Sequence, residues 1–516
     1  MSYRGLNTTV TQIRREVFTE VARMAYDKVQ GESADLRMKQ IPFKIVPGEE
    51  GKYRKDIFLE RAIVQERMRL AMGLPTRRVD EFNSVSEGLD HAAIAEKYYD
   101  PPLINVIKFA CNRCPEKMVK ISDLCQGCLA HPCMEVCPKN AISWVSGRSV
   151  IDQEKCIKCG KCVDVCPYHA VVKTERPCAA ACGMDAIHTD SMGRANIDYA
   201  KCVSCGQCLV NCPFGAIADK GQILQLINSF NRGDKVYALM APAFINQFPE
   251  LTKAGRLKAA LKAVGFADVV EVAIGADLCT VDEAKDFLEK VPKELDFMAT
   301  SCCPAWSMMA KTAFPDVAKN ISMTMTPMVF TARMIKKAHP DARICFVGPC
   351  AAKKLEASRR HVRSHVDFVL TFEELSGIIE AKGIEVEMLE ADEAEAAMNE
   401  ASGAGRNYAQ TGGVAQAVAN KIHDWYPDKE VKIASAQTLP DCKKMLMLAK
   451  AGKYKGYLLE GMGCPGGCIG GAGTIADPKK TAVQLSKYVA EAPFKDPEQS
   501  SYIDNLHILK DDPDFE

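Results

Sequence analysis

The spacing of the cysteines constrains this chain more than any other feature of its sequence. The chain has 516 residues and 24 cysteines, and sixteen of these lie between Cys111 and Cys212. Two runs have the spacing C-x2-C-x2-C-x3-C-P, which lets three thiolates surround one iron–sulfur cubane while the fourth reaches a neighbouring one. The two runs are Cys156, Cys159, Cys162 and Cys166, and Cys202, Cys205, Cys208 and Cys212. The sequence therefore predicts bound [4Fe–4S] clusters in this block.

The other cysteines of the block complete two further sets of four. A third run has two extra residues before its third cysteine and consists of Cys125, Cys128, Cys133 and Cys137. Two half-motifs, "CNRC" and "RPCAAAC", supply Cys111, Cys114, Cys178 and Cys182. Sixteen thiolates are enough for four [4Fe–4S] clusters of the kind found in ferredoxin-like electron-transfer domains. We therefore predict a string of clusters that moves electrons one at a time.

The assignment of cysteines to clusters is a hypothesis about exchanged fourth ligands. If neighbouring runs exchange the fourth cysteine, two modules result, and the inner one is an insertion in the outer one. The inner sets are Cys125, Cys128, Cys133 with Cys166, and Cys156, Cys159, Cys162 with Cys137. The outer sets are Cys202, Cys205, Cys208 with Cys182, and Cys111, Cys114, Cys178 with Cys212. Quantification of iron and sulfide tests this count.

The positions of the cysteines and the pattern of apolar runs divide the chain into four regions. Residues 1–110 contain no cysteine and are predicted to be a helical cap or docking segment, and residues 111–225 form the α+β ferredoxin-like domain. From 235 to 480, apolar runs such as "KVYALMAPAF", "DVVEVAIGA" and "RICFVGP" alternate with helical patterns. This alternation predicts an α/β domain whose parallel or mixed sheets are covered by helices. Residues 481–516 are predicted to form a helix and a polar tail.

Composition argues against several classes of partner. Lys+Arg and Asp+Glu both number 66, so the zero net charge gives no indication of nucleic acid or an anionic membrane. No apolar run approaches the ~18 residues that a membrane helix needs. Arg14 and Arg15 are followed by Glu16 and Glu20 without an apolar signal core. We therefore expect a soluble, cytoplasmic protein whose thiolates hold metal instead of forming disulfides.

Three more cysteine motifs stand at predicted strand ends in the α/β region, where such folds place their sites. They are "TSCCPAW" (300–306), "GPCAAKKLE" (348–356) and "EGMGCPGGCIGGAGT" (460–474). Each motif alone could contain a buried structural cysteine. Together, and in this order, they resemble the motifs of [FeFe] hydrogenases that bind the active-site H-cluster, with a ligand set similar to the divergent group B type. The cysteines outside these motifs are predicted to be buried free thiols: Cys279, Cys345 and Cys442.

The resemblance implies a complete ligand set and two further residues at the cofactor. The [4Fe–4S] unit would be held by Cys303, Cys350, Cys464 and Cys468. Cys468 would bridge this unit to a diiron subsite that carries CO, cyanide and a dithiolate. Lys353 would point its ammonium group at a cyanide ligand, and Met462 would pack near the diiron subsite. The alternatives are a solvated lysine and an ordinary core methionine. Gly348 stands where the family usually has methionine, which removes one contact near the cofactor.

The resemblance also implies a path for protons. Cys302 is adjacent to a ligand without being one, and its thiol would exchange protons with the dithiolate amine. The path would run from Asp286 through Ser322 and Glu283, then a water, to Cys302. Asp286 replaces the usual glutamate and is one methylene shorter. The alternative is that Glu283 and Asp286 only form a charged helix face.

The function implied by the resemblance is the reversible reaction 2 H⁺ + 2 e⁻ ⇌ H2. Its substrates would be H2 and protons, with a ferredoxin-type protein as electron carrier and maturation proteins to supply the diiron subsite. Two alternatives are a sensory or regulatory protein that binds an H-cluster but turns over slowly, and an iron–sulfur carrier or assembly factor without the diiron subsite.

Overall fold

The computed structural model describes residues 4–29, 31–92, 101–248, 251, 254–359, 362, 364–385, 389 and 400–506. The end of the predicted polar tail, from residue 507 onward, lies outside this part of the chain. Among the described residues, no helix is both long and apolar enough to cross a membrane.

Helices dominate the beginning of the chain and share a core with the α/β region. Thr8 caps the first helix by accepting a hydrogen bond from the Thr11 N–H at 3.3 Å. Apolar residues of this helix, among them Val17, Val21 and Met24, are buried in one cluster with the strands of the α/β region. The segment therefore covers the α/β domain. Its helices are α1 (Thr9–Tyr26), α2 (Gly31–Ile45), α3 (Ile57–Ala71) and α4 (Leu89–Ala92).

The cysteine block consists of short antiparallel ribbons. Its strands are β1 (Ile104–Val106), β2 (Met118–Ile121), β3 (Ile142–Val145), β4 (Arg148–Ile151), β5 (Val171–Thr174), β6 (Ile187–Thr189), β7 (Ala195–Ile197) and β8 (Ile217–Asp219). Strand β1 pairs with β8, β2 with β5, β3 with β4 and β6 with β7. The unit closed by β2 and β5 is thus inserted in the unit closed by β1 and β8, as the exchange hypothesis requires. Strand β1 lies near the end of the segment predicted to be helical and pairs with a strand that follows the last cysteine of the block.

One turn of helix accompanies each cysteine set of the block. These helices are α5 (Pro132–Glu135), α6 (Lys161–Asp164), α7 (Pro177–Ala180) and α8 (Gln207–Val210). Each contains one buried cysteine, namely Cys133, Cys162, Cys178 and Cys208. The short helices therefore turn one thiol of each set inward.

Two parallel sheets confirm the predicted α/β class. The strands are β9 (Val236–Met240), β10 (Asp268–Glu271), β11 (Met298–Ala299), β12 (Arg343–Gly348), β13 (Phe368–Thr371), β14 (Lys432–Gln437) and β15 (Tyr457–Met462). The first sheet has the order β10-β9-β12-β13 and the second has the order β11-β15-β14. All pairs within both sheets are parallel.

Helices pack against both sheets and contribute to burying the parallel strands. They are α9 (Ile223–Arg232), α10 (Ala254–Val264), α11 (Ala273–Lys290), α12 (Pro304–Ala313), α13 (Pro327–Ala338), α14 (Ala351–Ser358), α15 (Phe372–Lys382), α16 (Gly403–Asn407), α17 (Gly413–Trp425), α18 (Leu439–Lys450) and α19 (Pro478–Ala490).

One predicted strand was too long. The run "DVVEVAIGA" is a strand only up to Glu271, and its second half opens helix α11 at Ala273. The first twelve residues of α11 are all buried. A short apolar run cannot distinguish a buried strand from a helix that is buried on every side, which explains the error.

Candidate metal centre

Three loops that leave the carboxyl ends of parallel strands carry the candidate site. The loop after β11 leads through Cys303 into α12, and the loop after β12 leads through Cys350 into α14. Both cysteines occupy the N-cap position, where the partial positive charge of a helix N-terminus favours a thiolate. The loop after β15 carries Cys464 and then Cys468, which begins a short 3₁₀ turn.

The four cysteines face one buried cavity. Its lining also includes Cys302, Lys353 and Met462, so seven of the residues singled out in the sequence meet there. Burial raises the pKa of Cys350 to about 12, and the neighbouring Cys464 and Cys303 act in the same direction. Burial also raises the pKa of Cys464 and Cys468, and Cys303 contributes to both shifts. Such mutual influence shows that the four thiols converge.

The donors fit a polynuclear cluster. Among the residues that the structure describes, no three His, Cys, Asp or Glu side chains are placed to hold a single metal ion. The four thiols instead surround a space, and thiolates are the ligands of iron–sulfur clusters. Two groups donate hydrogen bonds to these sulfurs: the Gly463 N–H to Cys303 at 3.4 Å and the Gln207 side-chain amide to Cys464 at 3.2 Å.

Glycine is required at one point of the third loop. Gly467 has a φ of 92°, and a Cβ there would lie 2.6 Å from the backbone nitrogen of Thr411. This position therefore excludes side chains both by conformation and by space. The close approach brings the loop against the segment before α17 and closes that side of the cavity.

Lys353 and Met462 are buried at the cavity. The Lys353 ammonium forms an ion pair of 2.6 Å with Glu356, which in turn accepts a hydrogen bond of 2.8 Å from the Thr326 hydroxyl. Burial lowers the pKa of Lys353, but interactions with neighbouring groups, chiefly Glu356, together outweigh burial, so the pKa is raised and the group remains a cation. Met462 is the last residue of β15 and packs with Phe330 and other buried side chains.

Phe346 occupies the space that a larger side chain at position 348 would need. A Cβ on Gly348 would lie 2.5 Å from the Phe346 ring, and Phe346 itself lines the cavity. The aromatic ring thus replaces a side chain at residue 348 as an apolar wall.

The four residues of the predicted proton path differ in how deeply they are buried. Cys302 and Glu283 are electrostatic neighbours; burial and Glu283 both raise the pKa of Cys302 well above its ordinary value, so it remains a thiol. Burial raises the pKa of Glu283 to about 8, while the nearby Ser322 hydroxyl and the Ser301 N–H, which donates to the carboxyl at 3.4 Å, oppose the shift. Asp286 is partly exposed and pairs with Lys290 at 2.9 Å. The structure thus brings Cys302, Glu283 and Ser322 together and places Asp286 toward solvent.

A buried glutamate beside the cavity escaped the sequence analysis. Glu460 lies in β15 and accepts hydrogen bonds from the Gly412 N–H at 2.7 Å and the Ala415 N–H at 2.8 Å. Burial raises the pKa of Glu460 to about 7, and its carboxylate raises the pKa of both Cys302 and Cys468. The signal was available, since Glu460 is the one charge within the apolar strand "YLLEGM".

The cysteines that match no ligand pattern are buried, as predicted. Cys279, Cys345 and Cys442 are each 0% exposed. Burial raises the pKa of Cys279, and Glu283 is the next largest cause of the shift. Cys279 therefore lies close to the predicted proton path.

The outer module brings together two of the predicted cysteine sets. Burial raises the pKa of Cys178 to about 12, and three other thiols influence it: Cys212, Cys111 and Cys114. Burial also raises the pKa of Cys208 well above its ordinary value, with contributions from Cys205, Cys202 and Cys182. Cys350, which lines the cavity, also raises the pKa of Cys205. One accessory set therefore lies next to this cavity.

In the inner module, one of the two predicted cysteine sets surrounds a single cavity. Cys137, Cys156, Cys159 and Cys162 line a single small cavity. Of the last set, Cys133 and Cys166 contact the same apolar cluster, while backbone hydrogen bonds from Ser149 and Gly127 lower the pKa of Cys125.

Comparison with known proteins agrees with this architecture. Residues 234–472 match the C-terminal domain of the iron-only hydrogenase large subunit, and residues 117–167 and 155–216 match 4Fe–4S dicluster domains. The chain thus combines a region similar to the C-terminal domain of the iron-only hydrogenase large subunit with two overlapping regions similar to 4Fe–4S dicluster domains.

The relatives include hydrogenases and proteins with other names. Iron hydrogenase 1 of Clostridium pasteurianum is 28% identical over 65% of this chain and 67% of its own length. The periplasmic [Fe] hydrogenase large subunit of Nitratidesulfovibrio vulgaris is 28% identical over 43% of this chain, which spans only 63% of that protein. The cytosolic iron-sulfur assembly component 3 of Bos taurus is 25% identical over 46% of this chain and 60% of its own length. A solved [FeFe]-hydrogenase from Chlamydomonas reinhardtii aligns with a TM-score of 0.42 at 20% identity, over 53% of this chain and 89% of that one.

Proposed function

We propose that this protein is an [FeFe] hydrogenase, of the divergent group B type, that catalyses 2 H⁺ + 2 e⁻ ⇌ H2. The observation that carries the proposal is the convergence of four thiols, a buried lysine and a non-ligand thiol on one cavity. An iron–sulfur carrier needs the four ligands but has no use for Cys302 and its buried carboxylic acid neighbour.

Cys303, Cys350, Cys464 and Cys468 would hold the [4Fe–4S] part of an H-cluster, and Cys468 would also reach the diiron subsite. When bound, this group supplies the redox centre at which H2 is made or split. The apolar side chains Phe346 and Met462 exclude water from the cavity. Lys353 holds a fixed positive charge at the cavity wall, which suits a cyanide ligand, and Glu356 fixes its direction.

Cys302 and Glu283 would carry protons to and from the buried site. A relay needs groups whose pKa values keep them protonated near neutral pH and still allow exchange. Glu283, with a pKa of about 8, is such a group, and Ser322 lies close enough to influence its carboxyl. Asp286 is partly exposed and would exchange protons with solvent, although its ion pair with Lys290 must open for each transfer.

The accessory cysteines would hold four [4Fe–4S] clusters that connect the cavity to a ferredoxin-type carrier. The set around Cys205 lies beside the catalytic thiols and would be the last step of this path. The 24 cysteines are all free thiols, which suits a reducing compartment such as the cytoplasm.

The test is anaerobic maturation with the diiron cofactor, followed by infrared spectroscopy and an H2 assay. We expect CO and cyanide bands together with H2 production from a reduced carrier. A protein that carries its full iron content but shows no such bands would refute the proposal.

The second candidate is an iron–sulfur assembly or carrier protein, which the named assembly relative favours. It predicts normal [4Fe–4S] content, no CO or cyanide bands, and transfer of iron–sulfur clusters to an apo-ferredoxin. A sensor would show the bands with turnover at least about a hundredfold below that of an enzyme that works at ordinary rates.

A further inference from the structure

The segment before helix α1 reaches across the molecule to the catalytic loops. The Arg4 Nε donates a hydrogen bond of 3.2 Å to the carbonyl of Gly471, in the loop that follows Cys468. The next residue, Gly5, has a φ of 72°, and a Cβ there would lie 2.6 Å from the Cα of Asp477. Arg4 is only 9% exposed. The segment is therefore packed closely enough to hold the Arg4 side chain in one place.

Arg4 is connected to a cluster thiol through one amide group. Its Nη2 donates a hydrogen bond of 2.7 Å to the side-chain oxygen of Gln207. The side-chain nitrogen of Gln207 then donates to the Cys464 sulfur at 3.2 Å. The positive guanidinium polarises the amide, and hydrogen bonds in such a chain strengthen one another. Cys464 thus receives a stronger donor than an isolated glutamine would provide.

This connection lies where the accessory and catalytic cysteine loops touch. Gly206 has a φ of 74°, and a Cβ there would lie 2.5 Å from the Cβ of Ala472. Burial lowers the pKa of Arg4, while Cys464 and Cys205 both oppose this shift because both sulfurs lie near the guanidinium. An arginine remains a cation under all ordinary conditions. A buried positive charge therefore lies near two thiols that belong to different predicted clusters.

We propose that Arg4 and Gln207 are positioning residues that raise the reduction potentials of the cluster on Cys464 and of the accessory cluster on Cys205. The proposal rests on the proposed function, because it takes the two cysteine sets as cluster ligands. Net charge and hydrogen bonds to the sulfurs set the potential of an iron–sulfur cluster, and a nearby cation favours the more negative, reduced form. Burial weakens the screening of this charge by salt. The N-terminal segment thereby controls the last step of electron transfer to the catalytic site.

The test uses the full chain loaded with [4Fe–4S] clusters but without the diiron cofactor. Redox titrations followed by electron paramagnetic resonance give the midpoint potentials without reference to H2 turnover. At the wild-type midpoint, we expect Arg4→Gln to lower the ratio of reduced to oxidised cluster about tenfold, which equals about 59 mV for one electron. Arg4→Lys should keep most of the wild-type potential. Gln207→Leu should shift the cluster on Cys464 more than the one on Cys205.

A matched control distinguishes the effect of losing the positive charge of Arg4 near the clusters from the general effect of replacing a buried arginine. Arg69 is buried and donates hydrogen bonds to the carbonyls of Pro75 and Val85, in the helical segment. Arg69→Gln should leave both midpoints unchanged. An Arg4→Gln protein with wild-type iron content and unshifted midpoints would overturn the proposal. A wild-type chain that binds no [4Fe–4S] clusters would instead refute the cysteine assignments, and with them both proposals.

Discussion

The cavity lined by the four cysteines has two sets of neighbours with opposite electrostatic character. Around Cys302 the neighbours are the carboxylic acids Glu283 and Glu460, whose pKa values burial raises to about 8 and about 7. Around Cys464 the neighbours are donors with fixed hydrogens, namely Arg4 and Gln207. We call these the acid side and the cation side. Groups that titrate near neutral pH can pass protons, whereas fixed donors and cations can only tune charge at a metal cluster.

The comparison indicates how one small cavity would separate protons from electrons. Protons reach it along groups that can be charged or neutral, and electrons reach it along thiolates beside a permanent cation. The same sequence motif supplies Cys302 on the acid side and the predicted cluster ligand Cys303, because adjacent residues at a strand end point in different directions.

The largest effect is expected on the acid side. Cys302→Ala should lower H2 evolution by a factor of a hundred or more, since the last proton carrier is lost while all four ligands remain. The infrared bands of the matured protein should be unchanged. Cys345→Ala, which removes a buried thiol from β12 away from the cavity lining, is the control and should retain wild-type activity. Comparable activity in Cys302→Ala and the control would contradict the relay role.

A change at the electron entry should have a different signature. Cys205→Ser removes a ligand of the accessory set that adjoins the cavity, and we expect ferredoxin-driven H2 evolution to fall at least tenfold. Exchange of H2 with deuterium from solvent needs no external electrons and should persist. The two assays are made on the same matured sample. An equal fall in both activities would contradict the view that protons and electrons reach the cavity by separate paths.

The titration of Glu283 gives a smaller effect with a defined sign. Its folded pKa of about 8 lies above the model-compound value of 4.5, so the folded protein binds the proton more tightly than the unfolded chain. Stability is therefore lost as the pH rises from about 4.5 to 8 and does not return above 8. Glu283→Gln should remove this loss and stabilise the protein at pH 9 by on the order of 3 kcal/mol, relative to its effect at pH 5. Chemical denaturation at the two pH values measures the difference. An equal effect of the substitution at both would show that the group does not titrate in this range.

The smallest effect should come from a position that belongs to neither side. Gly348→Ala forces a Cβ to within 2.5 Å of the Phe346 ring, and such overpacking costs about 1–3 kcal/mol. Adding Phe346→Leu should recover part of this stability. We expect H2 evolution and deuterium exchange to change together in these variants, by less than about threefold. A change in only one of these two activities would contradict the assignment of Gly348 to neither side.

The parts of this molecule that the sequence predicted are those encoded in local spacing. The ferredoxin-like runs could be recognised because iron–sulfur ligands recur there at short, fixed intervals, and the four cysteines predicted at the cavity could be recognised because each stands in a short motif at a strand end. The two parallel sheets followed from apolar runs of strand length. Helix α11 was partly misread because its apolar first half carries no periodic signal.

The residues that escaped prediction act across long separations in the chain. Arg4 meets Gln207 and Gly471, more than two hundred and more than four hundred residues away. No local pattern marks such a contact. Glu460 could have been noticed as a charge in an apolar strand, but its partners at the start of α17 depend on the packing of the second sheet.

Deuterium exchange by the matured wild-type protein and by Cys302→Ala tests the central claim most directly. Mass spectrometry of the gas phase above D2O follows the conversion of H2 to HD, which requires both the catalytic site and the acid side. We predict rapid HD formation by the wild type and loss of at least a hundredfold in Cys302→Ala, with identical infrared bands in the two samples. A wild-type protein that shows the bands but forms no HD would contradict the account, as would a Cys302→Ala variant that forms HD at the wild-type rate.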